Sequence, residues 1–149
     1  MAREYDGSGE WSVLSLGEQH PDIDLGNGTK IQSLGKASLE DYARIMAEAS
    51  IGISLMESPH PSYPPLEMAA FGVRVITNAY ANKDLSSLSG NIHSLPICSP
   101  DHIAEKLAAL AGTYTEQPVF DGLDEYIDGV DELPALCGDV SNLLKQAKQ

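Results

Sequence analysis

The stretch SPHPSYPPLEMAAFG, residues 58–72, separates the apolar runs 51–56 and 73–77 and is the strongest indication of the fold. The proline pair at 64–65 predicts the first turn of a helix, because an N–H group in that turn has no intrahelical acceptor to lose. Gly72 suits the left-handed residue that commonly ends a helix. The stretch therefore predicts, in order, a buried strand, a rigid polar loop, a short helix and a second buried strand.

The loop before this helix is predicted to lie at the carboxyl edge of a sheet. Ser62 and Tyr63 stand at its end, directly before the proline pair. Open α/β sheets bind their ligands at that edge, and the free N–H groups of a helix's first turn attract phosphate. The pattern therefore points to a nucleotide-type ligand.

The rest of the chain alternates between strand and helix patterns. Apolar residues predict strands at 11–16, 30–34 and 92–97, whereas Ser38 and Ser99 each predict the N-cap of a helix. Such alternation predicts an α/β fold with a doubly wound parallel sheet.

Three segments are predicted. Residues 1–10 form a loose lead-in, 11–112 an α/β domain, and 113–149 an acidic extension with a terminal helix. Within the domain, residues 18–29 are predicted to be a loop because they are rich in Gly, Asn, Asp and Pro. The side chains expected to be buried at the centre of the sheet are Ile53, Leu55, Val75 and Ile76.

The composition excludes several classes of protein. The chain has 149 residues, 42% of them hydrophobic, and a formal net charge of −13. That charge argues against nucleic acid, because a polyanion is bound by clustered Lys and Arg. No apolar run approaches the roughly 18 residues of a membrane span, and the N-terminus lacks a signal-peptide core. We therefore expect no transmembrane segment and a cytoplasmic location, with Cys98 and Cys137 as free thiols.

Several segments resemble the C-terminal, nucleotide-sugar-binding domain of family 4 glycosyltransferases of GT-B architecture. The shared features are the succession of strand, Gly35, capped helix and strand, and the segment LEMAAFGVRVITN that begins at Leu66. Within that family, SPHPSYPPLEMAAFG and TNAYANKDLS look most like bacterial rhamnosyltransferases of the WsaF type. The resemblance covers about residues 11–112.

The chain also departs from the family. The family pattern Glu-x7-Glu has its second position at Glu67, but its first position falls on Pro59. The Gly-Arg…Lys segment that opens the C-terminal domain is missing, as is the acceptor-binding N-terminal domain. We therefore expect a fragment that lacks the first strand, holds no catalytic residue and is inactive alone.

The resemblance implies a Rossmann-like half of a GT-B fold. It implies the donor-binding domain of a retaining glycosyltransferase, with dTDP-rhamnose or another nucleoside diphosphate sugar as donor and a role in surface polysaccharide or glycan synthesis. The glycan acceptor would bind the missing N-terminal domain. No metal or other cofactor is implied.

Glu67 is the first candidate site residue. In the family the matching carboxylate accepts hydrogen bonds from the nucleotide ribose. The alternative is that an acid in the first turn of a helix only complements the helix dipole.

The proline-rich loop supplies the next candidates. The N–H groups of Ser62 and Tyr63 could face a diphosphate, or Ser62 could only cap its own helix. His60, held extended by the following proline, could contact the sugar or diphosphate or have no special role.

Three further candidates lie on other loops. The resemblance places Gly35 and Lys36 at the strand end where backbone groups contact the base, although a glycine there also suits a plain turn. Lys83 could neutralise phosphate or be a surface cation. The histidines expected to be structural are His20, His93 and His102.

A non-catalytic α/β interaction or scaffold module that uses the acidic C-terminal segment is the alternative function. A receiver-like domain would carry a phosphoacceptor Asp after a central strand, whereas here the run 51–56 is followed by Glu57 and Ser58. The same segment also permits a solvated or disordered tail without a partner. Nucleotide titration separates the alternatives, because a scaffold should ignore dTDP.

Overall fold

The computed structural model describes residues 11–26, 28–58, 63–80 and 82–113. The predicted lead-in and nearly all of the acidic extension, including its terminal helix and Cys137, lie outside the described residues. The elements, in chain order, are strands β1 (Val13–Leu16), β2 (Ile23–Gly26) and β3 (Thr29–Gly35), helix α1 (Leu39–Glu48), strand β4 (Ile51–Ile53), helix α2 (Tyr63–Ala70), strand β5 (Arg74–Asn78), a 3₁₀ turn (Leu85–Ser87), strand β6 (Ile92–Leu95) and helix α3 (Pro100–Gly112).

Strands β4, β5 and β6 form a parallel three-stranded sheet in that order. Val75 and Ile76 are neighbours on the central strand, point to opposite faces and are both 0% exposed. Val75 packs in a cluster that includes residues of α1 and α2, whereas Ile76 packs with Leu95 and with Leu110 of α3. Helices therefore cover both faces, which confirms the predicted α/β fold and its Rossmann-like parallel sheet.

Helix α2 begins and ends as its sequence predicts. It starts at Tyr63, so both prolines lie in its first turn. At the other end Gly72 has a φ of 80°, and its N–H group donates to Ala69 O at 2.9 Å. The N–H group of Val73 donates to Met68 O at 3.0 Å, which completes a Schellman motif. Both side chains of that last pair are buried in the core, so the turn leads directly into β5.

The first sheet differs from the prediction. Its order is β1-β3-β2, with β1 and β3 parallel but β2 and β3 antiparallel. Residues 18–29 were predicted to be a loop, yet Ile23–Gly26 is a strand. The glycines at 26 and 28 have positive φ angles and turn the chain back onto β3, so the residues that predicted a loop form the turn of a hairpin.

Ile53 and Leu55 are each 48% exposed, so the prediction that they are buried is wrong. The reason is that β4 is an edge strand, paired on one side with β5 and, among the described residues, with no strand on the other. Strand β1 is likewise at an edge and pairs with β3. Within the described ranges no helix is long and apolar enough to cross a bilayer.

Candidate functional site

The carboxyl ends of the parallel strands β1 and β3 form a shallow depression. The N–H group of Gly17 donates to Gly35 O at 2.9 Å and holds the two strand ends together. The depression has a volume of about 560 Å³. Its lining residues are Gly17, Glu18, Gln19, Leu34, Gly35 and Lys36. The two predicted base-contacting residues, Gly35 and Lys36, therefore both line the depression at the carboxyl ends of these strands, the edge at which open α/β sheets generally bind ligands.

Gly35 suits this position mainly because of its backbone conformation. Its φ of +64° lies in the left-handed region, which a residue with a Cβ atom adopts only at a cost. A Cβ atom would also stand 2.5 Å from Gln19 Oε1. The amide of Gln19 donates to Ser33 Oγ at 3.1 Å, so this neighbour is tied to the same strand end. The glycine therefore serves the turn at the end of β3, whereas the flexible side chain of Gln19 can shift to make room for a Cβ atom.

Glu67 lies on the exposed side of α2 and is bound to a residue of α1. The hydroxyl of Tyr42 donates to Glu67 Oε2 at 2.9 Å. Burial, followed by the hydrogen bond to Glu67 and its charge, raises the pKa of Tyr42 to about 12. Tyr42 is therefore a neutral donor at physiological pH, and it links the two helices that cover the same face of the parallel sheet.

The chain that leaves β4 is held by β5 and the residues after it. Asn78 Oδ1 accepts from Met56 N at 2.6 Å, and Asn78 Nδ2 donates to Met56 O at 3.0 Å. The Tyr80 hydroxyl donates to the same carbonyl at 2.7 Å. These bonds fix the point from which the proline-rich loop departs. We did not predict them, although the Asn at the end of an apolar strand pattern is a signal that could have suggested a side chain pairing with main chain.

The remaining predicted site residues either do not line the depression or lie outside the described residues. Tyr63 is the first residue of α2 and is 64% exposed, whereas Ser62 and His60 lie outside the described residues. Lys83 is partly buried and exchanges two main-chain hydrogen bonds with Tyr80, at 2.9 and 3.0 Å. Glu67, Tyr63 and Lys83 are not among the residues that line the depression at Gly35.

The histidines predicted to be structural have contacts within the fold. His20 Nδ1 donates to Pro21 O at 2.7 Å, so its Nε2 accepts from Ser15 Oγ at 2.9 Å in the neutral ring. Burial, followed by Lys106 and Arg74, lowers the pKa of His93. His102 Nδ1 lies 2.6 Å from the hydroxyl of the N-cap Ser99.

The described residues give no sign of a metal site, because they contain no group of three or more His, Cys, Asp or Glu side chains that could hold an ion. Cys98 is an exposed free thiol, as predicted. The arrangement offers a ligand hydrogen-bonding groups: an anchored carboxylate, main-chain groups at the ends of β1 and β3, and the N–H group of Tyr63, because Pro64 and Pro65 in the first turn of α2 have none.

Comparison with known proteins supports the resemblance found in the sequence. The family described as "WsaF, C-terminal domain" matches residues 1–108. Over 66 residues the chain is 36% identical to the O-antigen biosynthesis protein RfbC of Myxococcus xanthus. That alignment covers 44% of this chain and 5% of RfbC, so the chain spans only a small part of this relative. The family match covers well over half of the chain, and the chain therefore belongs to the family of WsaF C-terminal domains.

Proposed function

We propose that this domain binds the nucleotide end of an activated sugar and is the donor-binding half of a retaining glycosyltransferase. The proposed donor is dTDP-rhamnose, and the proposed role is the synthesis of a bacterial surface polysaccharide or glycan. Membership of the WsaF C-terminal family and the similarity to an O-antigen biosynthesis protein support this reading. The observation that carries it is the exposed carboxylate of Glu67, which the hydroxyl of Tyr42 anchors at 2.9 Å.

In this proposal Glu67 accepts a hydrogen bond from the nucleotide's sugar ring. A carboxylate suits that task because it has only acceptors and its charge strengthens each bond. The helix-dipole alternative was predicted from an acid in the first turn, but α2 begins at Tyr63 and its first turn holds no acidic residue, so Glu67 lies beyond the reach of that effect. Tyr42 instead holds one of the Glu67 oxygens at a defined position. The anchored geometry therefore favours a ligand-binding carboxylate.

The base and the diphosphate take neighbouring positions. Gly35 and Lys36 line the depression where main-chain groups can approach the base. The first turn of α2, with Tyr63 and the preceding Ser62 and His60, would face the diphosphate, and Lys83 would add positive charge. As the bond to the sugar breaks, the diphosphate gains negative charge, and fixed N–H groups and cations stabilise it.

The transfer itself requires more than this domain. A glycan acceptor must be held against the anomeric carbon, and positioning of that kind lowers a barrier by roughly 7–11 kcal/mol. We propose that an acceptor-binding domain supplies it. We also propose that a further parallel strand lies between the open edges of β1 and β4, giving the order of a complete doubly wound sheet. Alone, the chain is expected to bind nucleotide but to transfer no sugar.

Calorimetric titration of the chain tests the proposal. The ligands are dTDP and dTDP-rhamnose, with inorganic pyrophosphate as the control for binding by the diphosphate alone. Saturable binding of dTDP that pyrophosphate does not reproduce supports a nucleotide site. If no nucleotide or nucleotide sugar binds, the domain is instead a scaffold module and the proposal is wrong.

A further inference from the structure

Tyr42 is fixed at both ends of its side chain. Its ring is partly buried against the core cluster that contains Met46 of α1 and Leu66 of α2. Its hydroxyl reaches across to α2 and donates to Glu67 Oε2 at 2.9 Å. An exposed glutamate on a helix normally samples several rotamers, so a donor held by the core restricts this one.

The bond also makes the two oxygens of the Glu67 carboxylate unequal as acceptors. Oε2 accepts a hydrogen bond from the Tyr42 hydroxyl, which stays protonated. Among the described residues, none donates a hydrogen bond to Oε1. Two vicinal hydroxyls are bound best when each has its own carboxylate oxygen, as in other bidentate pairs. Because the phenol takes one of the two lone pairs of Oε2, Oε1 is the better acceptor, and the carboxylate is suited best to a single hydroxyl.

We infer that Tyr42 is a positioning and specificity-determining residue, which holds Glu67 so that it receives one hydroxyl of the nucleotide's sugar ring. The inference rests on the function proposed above. A ribose presents hydroxyls at the 2′ and 3′ positions, whereas a 2′-deoxyribose presents only the 3′ hydroxyl. Tyr42 therefore removes the advantage that a ribonucleotide would otherwise have, and the site accepts a deoxyribonucleotide without penalty.

The test uses dUDP and UDP, which differ by one hydroxyl group. Both are titrated into the wild-type chain, Tyr42→Phe and Tyr80→Phe at pH 7. We expect the wild type to bind the two nucleotides within about twofold of each other. Tyr42→Phe should bind dUDP more weakly and shift the ratio of the two affinities toward UDP by about fivefold, because the freed oxygen can accept the 2′ hydroxyl.

Tyr80→Phe is the matched control. It also deletes one phenol that donates a hydrogen bond, but that bond goes to the carbonyl of Met56. Any loss it causes should fall equally on dUDP and UDP and leave their ratio unchanged. Tyr42→Phe keeps the ring that packs against the core, and its melting temperature shows directly that it is folded.

The possible outcomes test the role of Tyr42 and the proposed function separately. If the wild type binds nucleotide but Tyr42→Phe leaves the ratio unchanged, the role of Tyr42 is wrong and the proposed function stands. A wild-type preference for UDP of about tenfold or more also overturns the single-hydroxyl inference. If the folded wild type binds neither dUDP nor UDP, the inference about Tyr42 fails; if it also binds neither dTDP nor dTDP-rhamnose, the proposed function fails as well.

Discussion

The side-chain amide of Asn78 pairs with both main-chain polar groups of Met56, at 2.6 Å from its nitrogen and 3.0 Å from its oxygen. A side-chain amide has the same donor and acceptor as a peptide group, so Asn78 continues the pairing of β4 and β5 beyond the last strand residue, Ile53. Because Met56 is 5% exposed, these groups cannot turn to water instead. The relationship sets where the proline-rich loop begins.

Asn78→Leu should therefore destabilise the domain by about 1–3 kcal/mol, because it leaves the buried Met56 N–H group without its acceptor. Tyr80→Phe should cost less, since the Met56 carbonyl keeps the bond from Asn78. Urea midpoints of the two variants and the wild type measure both effects. Equal midpoints for Asn78→Leu and wild type would show that the pairing contributes nothing to stability.

A second prediction concerns the turn at the depression. Gly35→Ala places a Cβ atom on a residue with a φ of +64° and is expected to cost about 1–2 kcal/mol. Gly112→Ala is the matched control, because it lies in the last turn of α3 and a Cβ atom there meets nothing within 4 Å. That change should stabilise by about 0.5–1 kcal/mol. Thermal melts compare the two, and a Gly35→Ala protein as stable as wild type contradicts the strain argument.

The open edge of β4 leads to a prediction for hydrogen exchange. Main-chain bonds join Ser50 O to Arg74 N and Ser54 N to Ile76 O, so the alternate residue Ile53 turns its N–H group away from β5. The N–H group of Val75, by contrast, donates to Asn91 O at 2.8 Å inside the sheet. Amide exchange followed by NMR should be much faster at Ile53 than at Val75. Equal protection would mean that another strand already covers this edge in the isolated chain.

The edge position of β4 also shows which parts of the structure could be predicted from the sequence and which could not. Caps such as Ser38 and the helix end at Gly72 were predictable because they depend on neighbouring residues and on local backbone geometry. The burial of Ile53 was predicted wrongly because an apolar run does not reveal whether its strand is central or at an edge. The bond between Tyr42 and Glu67 joins residues 25 positions apart, and no local pattern encodes it.

The same bond predicts a dependence of stability on alkaline pH. Burial and Glu67 raise the pKa of Tyr42 from 10.0 to about 12, so the folded state favours the protonated phenol. The resulting stability is fully present below the unfolded pKa of about 10 and is lost as the pH rises through about 12.

The measurement is the difference in urea midpoint between wild type and Tyr42→Phe from pH 8 to pH 12. We expect the difference to be constant at first and to change once the pH exceeds about 10, with wild type losing its advantage. Tyr63→Phe is the control, because that side chain is 64% exposed at the start of α2, and its difference from wild type should vary less. If the difference between wild type and Tyr42→Phe stays constant across this pH range, the pKa of Tyr42 is not raised in the folded protein.

The last prediction tests the role of Glu67. Glu67→Gln keeps the side-chain shape and an oxygen for Tyr42 but removes the charge. The sugar hydroxyl then loses a charge-assisted hydrogen bond worth roughly 1.5–3 kcal/mol, which corresponds to about a 10-fold to 150-fold loss of dTDP affinity. If Glu67 only accepts the hydrogen bond from Tyr42, the change affects stability alone and leaves the affinity unaltered.

Calorimetric titration with dTDP, together with melting temperatures, separates these two roles of Glu67. Glu105→Gln is the matched control, since it removes the charge of another exposed helical glutamate, on α3. A general effect of the net charge of −13 on the binding of an anion would raise the affinity of both variants alike. A specific contact lowers the affinity of Glu67→Gln alone. Because the two explanations predict changes of opposite sign, an unchanged or increased affinity in Glu67→Gln rules out the assigned contact.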